Sequence, residues 1–140
     1  MNGARMMMIK RLSLFGLLFA LGMSSAGASA LDPCEESEKV DAELNRVYKQ
    51  ILRKYKDQPL FLKKLKLAQR AWIKFRDAHI VSIFPEDDRG YHYGTAAIDC
   101  SCWQLTYRTR LRVKELKVWL KGTEEGDLCK GSVKYEHELR

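Results

Sequence analysis

The chain has 140 residues, with 25 Lys+Arg against 18 Asp+Glu and four cysteines. That length holds one domain of ordinary size and excludes a multidomain enzyme. A 46% hydrophobic content excludes a wholly disordered chain, and three prolines with nine glycines exclude a collagen-like or low-complexity one.

Residues 1–30 read as a secretory signal peptide. Arg5, Lys10 and Arg11 precede the apolar run Leu12–Met23, and small residues follow, ending in Ala28-Ser29-Ala30. Charged, apolar, then A-x-A is the order that places cleavage after Ala30. The apolar run is too short for a spanning helix, which needs about 20 residues, and no later segment is apolar enough, so no stable membrane insertion is expected after cleavage. Leu31-Asp32-Pro33-Cys34 puts a leucine three before a cysteine, but Asp32 and Pro33 are unsuited to lipoprotein processing. Cleavage removes those three basic residues and no acid, so the net charge falls from +7 to +4. With acids interleaved among the remaining cations, no nucleic-acid partner is expected. An exported small domain with an even number of cysteines predicts two disulfides, with three possible connectivities.

The mature part reads as helices. Asp32 is a capping acid, Pro33 suits a first helical position, and Val40, Leu44, Val47 and Ile51 recur on one face until Asp57-Gln58-Pro59. A second helix is predicted over Leu60–Phe84. Its two adjoining stripes are Phe61, Leu65, Ala68, Trp72, Phe75 and His79, and Leu62, Gln69, Ile73, Arg76 and Ile80. So wide a face marks it as the central helix, and Pro85 stops it. Pro85–Asp99 has no periodicity and two glycines, so it is expected as a loop, long enough to suggest function. A third helix follows over Ala97–Leu120, with Ile98, Cys102, Leu105, Thr109, Val113, Leu116 and Leu120 at helical spacing and Gly122 at its end.

The expected fold is all-α: a small antiparallel three-helix bundle stapled by disulfides, with a long loop between the second and third helices. The expected units are the signal peptide 1–30, a helical domain 31–122 and a polar C-terminal tail 123–140. An up-down-up arrangement brings Cys34 near Cys100 and Cys102. Helical phase favours Cys34–Cys102 with Cys100–Cys129, the second requiring an extended tail running back along the third helix. An exchange of Cys100 and Cys102 stays open.

Two stretches carry a family likeness. One is Asp41-x-x-Leu44-Asn45-x-x-Tyr48. The other is Leu65-x-x-Ala68-Gln69-Arg70-Ala71-Trp72-Ile73-x-Phe75-Arg76-Asp77-Ala78, followed by Cys102 shortly before Leu105-Thr106 in an Arg-rich helix. This pattern resembles the LprI-like family of small exported bacterial proteins, named after a lysozyme inhibitor, over roughly Cys34–Leu120. Ile80 stands where family members often carry a cysteine, which implies a rearranged disulfide set. The resemblance implies a periplasmic or secreted inhibitor of a lysozyme-like wall hydrolase that binds without catalysis and without a cofactor. The alternatives are a non-inhibitory envelope module, binding a protein or an anionic wall or membrane surface through the basic third helix, and a periplasmic immunity protein.

Two groups of residues are candidates for function. Gln69, Trp72 and Arg76 share one side of the second helix, and Asn45 and Tyr48 one side of the first, so the motif residues Asp41, Leu44, Asn45, Tyr48, Gln69, Arg70, Trp72, Arg76 and Asp77 read chiefly as a structural clasp. The loop is the binding candidate: Glu86, Asp87 and Asp88 adjoin Arg89, Tyr91, His92 and Tyr93, and tyrosines on a projecting loop give contact area at small entropic cost. An acidic, aromatic loop suits the sugar-binding cleft of a basic muramidase. No catalytic residue and no metal site is expected, since nothing in the chain matches a nucleophile elbow, a P-loop or a zincin motif; a soft-metal set of Cys100, Cys102 and His92 is the weaker reading beside disulfides.

Overall fold

A computed structural model describes residues 32–140, so the expected signal peptide lies outside the described residues. The described chain forms α1 (Pro33–Lys54), α2 (Pro59–Ile83), a short α3 (Arg89–Tyr93), α4 (Ala97–Lys121) and a 3-10 turn over Glu136–Leu139. There is no strand among the described residues; an isolated bridge pairs Thr123 with Tyr135. No described helix is long and apolar enough to cross a membrane.

Local chemistry sets the helix ends. The Asp32 carboxylate accepts from the backbone N–H groups of Cys34 at 2.8 Å and Glu35 at 3.1 Å, satisfying two of the donors a helix start leaves open. Glu35 and Glu36 occupy the first turn of α1 and Arg53 and Lys54 the last, each favourable to the helix dipole. Pro59 opens α2. Gly122, at φ +84°, ends α4. A Cβ there would lie 2.9 Å from Leu139 Cδ1 and 3.0 Å from the Glu136 backbone, so only glycine fits.

Three contacts fix how the long helices lie. A disulfide joins Cys34 to Cys102, with Cα atoms 4.9 Å apart, tying the start of α1 to the start of α4. At their other ends the buried Tyr55 hydroxyl donates to the Trp119 carbonyl at 3.0 Å. Phe61, at the start of α2, packs on Tyr55 and on Trp119, with ring centroids 4.9 and 5.8 Å away. The core is built from Leu44, Val47, Ile51 and Tyr55 with Leu65, Val113, Leu116 and Leu139.

The structure corrects three expectations. The central element is α4, which meets α1, α2, α3 and the 3-10 turn; α2 leaves Ala68, Ile73 and Phe75 exposed. The 85–99 segment is not loop throughout, because Asp88 nucleates α3 inside it. The polar tail packs back on the helix ends. Val133 and Leu139 are buried, and Tyr55 Oη accepts from the Lys134 N–H at 3.0 Å. Lys134 Nζ binds both Asp57 oxygens at 2.9 Å. Finally, Cys100 and Cys129 are both free and exposed, so the expected Cys100–Cys129 bridge is absent. The reason is the path of the tail. It folds over the end of α4, where Thr123 pairs with Tyr135, instead of running back roughly 30 Å along the helix to Cys100.

Candidate functional site

The segment after α2 is held at both ends. Asp88 Oδ1 accepts from the Tyr91 N–H at 3.0 Å and the Asp88 carbonyl from His92 N–H at 3.1 Å, which closes the single turn of α3. Gly94, at φ +83°, takes the chain out of it. Tyr93 packs edge-on against Phe84 at 5.6 Å between centroids, so this tyrosine anchors the segment. Tyr91 does the opposite. It is 82% exposed, with His92 edge-on beside it at 5.1 Å. Glu86, Asp87 and Asp88 are exposed next to it, whereas Arg89 is half-buried. Val81, Phe84, Asp87, Arg89, Gly90 and Ile98 line a cleft of about 380 Å3 beneath the segment. The result is an acidic ridge carrying one free aromatic ring over a small, partly apolar cleft.

The family-motif residues form a second cluster, inside the helix assembly. Arg76 Nη1 donates to Asp41 at 2.7 Å and to the Thr109 hydroxyl at 3.3 Å, and its Nε to Asp77 at 2.9 Å. Burial opposes the Arg76 charge, but the hydrogen bonds to Asp41 and Asp77 outweigh it and hold the guanidinium above its ordinary pKa. Gln69, buried, accepts from Arg112 Nε at 3.0 Å, while Arg112 Nη1 reaches Glu115 at 2.9 Å. The Trp72 ring has Arg76 at 5.3 Å and Arg112 at 5.9 Å, a double cation–π contact. Gln69, Trp72, Arg76, Asp77 and Asp41 are thus brought together. Asn45 joins the cluster at its exposed edge, its amide N–H donating to Asp41 at 3.4 Å. Leu44 belongs to the core, Tyr48 is half-buried with its hydroxyl pKa raised by burial, and Arg70 is exposed.

Sequence reasoning missed the α4 half of this clasp. Thr109, Arg112 and Arg108 lie on the side of α4 that meets α2, and Arg108 contacts the His79 ring and lies 5.9 Å from that of Phe75. The available signal was their spacing around buried Thr109; as part of a basic third helix, Arg108 and Arg112 read as a surface for an anionic partner. Two further cations of α4 are also engaged: Arg110 pairs with Glu36, and Lys117 with Glu43 at 2.6 Å. The Lys117 hydrogen bond pulls the Glu43 carboxyl below its ordinary pKa.

Neither cluster presents a metal-binding set. Cys102 is committed to its disulfide, and among the described residues no group of three or more His, Cys, Asp or Glu side chains could hold a metal ion.

These features belong to a recognised sequence family. The model of the family described as lysozyme inhibitor LprI matches residues 28–116, which spans both motifs, the acidic segment and the Cys34–Cys102 bridge. No curated protein and no solved structure matches the chain. With well over half of its length matched, the chain belongs to the LprI lysozyme-inhibitor family.

Proposed function

We propose that this protein is an exported inhibitor of a lysozyme-like peptidoglycan hydrolase, with the Glu86–Tyr93 segment as its docking element and α1, α2 and α4 as an antiparallel bundle that holds the segment out. It acts by occupying the enzyme's cleft and performs no catalysis. The observation that carries the reading is Tyr91: a large aromatic side chain left 82% exposed on a turn fixed by its own Asp88 cap, beside three carboxylates. A rigid aromatic anchor with an acidic surround is what a basic, sugar-stacking cleft accommodates. Family membership supports the target class, and the Cys34–Cys102 disulfide supports an oxidising compartment.

A net charge of +4 opposes approach to a basic enzyme, but the charge is unevenly placed. No Asp or Glu occurs between Asp57 and Asp77, and Lys63, Lys64, Lys66, Arg70 and Lys74 are exposed along α2. Glu86, Asp87, Asp88 and Asp99 lie beyond its far end. Measured along the helix from its end, Lys74 lies roughly 14 Å back and Lys63 roughly 30 Å, about two to four times the Debye length of about 8 Å at physiological salt. The acidic end therefore meets a basic partner with most of these cations screened. The competing reading, an anionic surface bound through the basic helix, loses support because Arg110, Arg112 and Lys117 pair with acids of this chain and Arg108 is turned onto His79.

The test is hydrolysis of peptidoglycan by several lysozyme classes in the presence of the oxidised protein. Tyr91→Ala is expected to weaken inhibition of the susceptible class by at least tenfold, with an unchanged melting temperature, since Tyr91 buries little. Inhibition at full strength by this variant would remove the segment as the docking element.

A further inference from the structure

The outer face of α4 is apolar as well as the inner one. Thr109, Val113 and Leu116 face the core. On the opposite side of the same helix lie Cys100, Trp103, Tyr107, Leu111, Lys114 and Val118, all exposed, Trp103 by 62%. A helix apolar on both faces is the pattern of one that receives a partner. The spacing on this face has its own symmetry. Cys100, Trp103 and Tyr107 are three then four residues apart, and Lys114, Val118 and Lys121 four then three. The pattern mirrors itself about the Arg110–Leu111 peptide.

We infer that this face receives a second copy of the same chain, with the two α4 helices antiparallel about a two-fold axis at the Arg110–Leu111 peptide. Such an axis sets Trp103 against the partner's Val118 and Tyr107 against the partner's Lys114, and leaves Leu111 beside the axis, within a residue of its own equivalent. It also sets Asp99 within a residue of the partner's Lys121. Among the described residues neither Asp99 nor Lys114 nor Lys121 forms an ion pair in its own chain, so Asp99 and Lys121 are free to be matched across the axis, and Lys114 meets the face of the partner's Tyr107.

The two free cysteines fit the same geometry. Cys100 and Cys129 belong to opposite ends of α4, so they do not pair within one chain. Cys129 is tied to the end of the helix through Asp127, whose carboxylate accepts from the Cys129 N–H at 2.8 Å and from the Thr123 hydroxyl at 3.0 Å. The antiparallel pairing brings Cys100 level with the partner's Lys121, and hence to the tail that carries the partner's Cys129. Two bridges, Cys100 to the partner's Cys129 and its reciprocal, then close the dimer. Each forms by thiol–disulfide exchange with a disulfide oxidant such as oxidised glutathione. The Cys100 thiolate attacks the oxidant and releases one reduced glutathione. The partner's Cys129 thiolate then attacks the Cys100 sulfur of the mixed disulfide and releases the second. Two protein thiols become one disulfide, and the two thiol protons end on the two glutathione thiols. The bridges matter energetically, because the exposed apolar strip offers only roughly 400 Å2 per chain, about half of one side of a standard interface.

This inference does not rest on the inhibitory reading, and its test does not use inhibition. Equal amounts of unlabelled and nitrogen-15-labelled protein are mixed reduced, oxidised in a glutathione redox buffer, and measured by intact mass and by non-reducing peptide mapping. The expected result is a doubled mass with hybrid-labelled peptides joining Cys100 to Cys129, beside an intact Cys34–Cys102 bridge. Leu111→Arg is expected to slow bridge formation more than tenfold. It alters an exposed position, and a circular-dichroism melt checks its fold. The inference is overturned by a monomer with two free thiols, by a Cys100–Cys100 or Cys129–Cys129 linkage, by a Cys100–Cys129 bridge confined to single-label peptides, or by a well-folded Leu111→Arg protein that bridges at the wild-type rate.

Discussion

The two helix seams of this molecule are built from opposite materials. Where α1 meets α4, Leu44, Val47 and Ile51 face Val113 and Leu116, short apolar side chains that let the backbones approach closely, and a disulfide closes the top. Where α2 meets the pair, Phe61 and Leu65 reach the core at one end, and beyond them Gln69, Trp72, Arg76, Arg108 and Arg112 interpose long, charged or aromatic side chains. The first seam draws its strength from area removed from water. The second is a hydrogen-bonded layer in which each cation must find its acceptor, and its net contribution per contact is smaller. Stability should therefore concentrate in α1–α4, and specificity of register in α2.

The largest expected effect breaks the first seam covalently. Replacing both Cys34 and Cys102 with serine releases a loop with a sequence separation of 68, worth about 4 kcal/mol of denatured-state entropy, and denaturant titration should read that loss. Next comes Leu116→Ala. This side chain is fully buried, so the cavity should cost about 3 kcal/mol, and a cost below about 1 kcal/mol would mean that the seam is not the core. Arg76→Met tests the second seam. Asp41 and Asp77 are about half exposed and can return to water, so the expected cost is only about 1–2 kcal/mol. A loss equal to that of Leu116→Ala would erase the contrast. The smallest effect is at the rim of the first seam. Glu43 has its pKa lowered in the folded state by Lys117, so it adds stability above the ordinary carboxylate pKa and loses it as pH falls through the lowered folded value. Glu43→Gln should melt slightly below the wild type at neutral pH and coincide with it in strong acid. For a partly exposed pair the difference is under about 1 kcal/mol.

The seams also differ in how far they were legible in the sequence. The α1 stripe was fully readable: cap, proline and the spacing of Val40, Leu44, Val47 and Ile51 all agree, and the structure buries that face. For α4 both period and phase were readable: Thr109, Val113 and Leu116 are inside as expected. Ile98 is exposed although it shares the face of Leu116, because it stands in the first turn of the helix, and periodicity does not tell where along a helix its neighbours stop. In the clasp, the α2 members were evident from spacing, and Thr109 was placed inside, while the pairing of Arg112 with Gln69 and of Thr109 with Arg76 was hidden. Periodicity describes one helix at a time, and their pairing depends on a neighbour many residues away. Val133 and Leu139 were hidden for a different reason: they are isolated apolar residues in a polar stretch, with no repeat to mark them. The acidic segment was found by composition, but its Asp88-capped turn separates Tyr93, an anchor against Phe84, from the free Tyr91.

The Cys34–Cys102 bridge encloses α2 and the whole acidic segment within one covalent ring. A protease that cuts the exposed chain near Tyr91 therefore opens the ring without separating its halves. The nicked protein should stay together and run as a single species until it is reduced, so an element offered to an enzyme's cleft can survive being cut there.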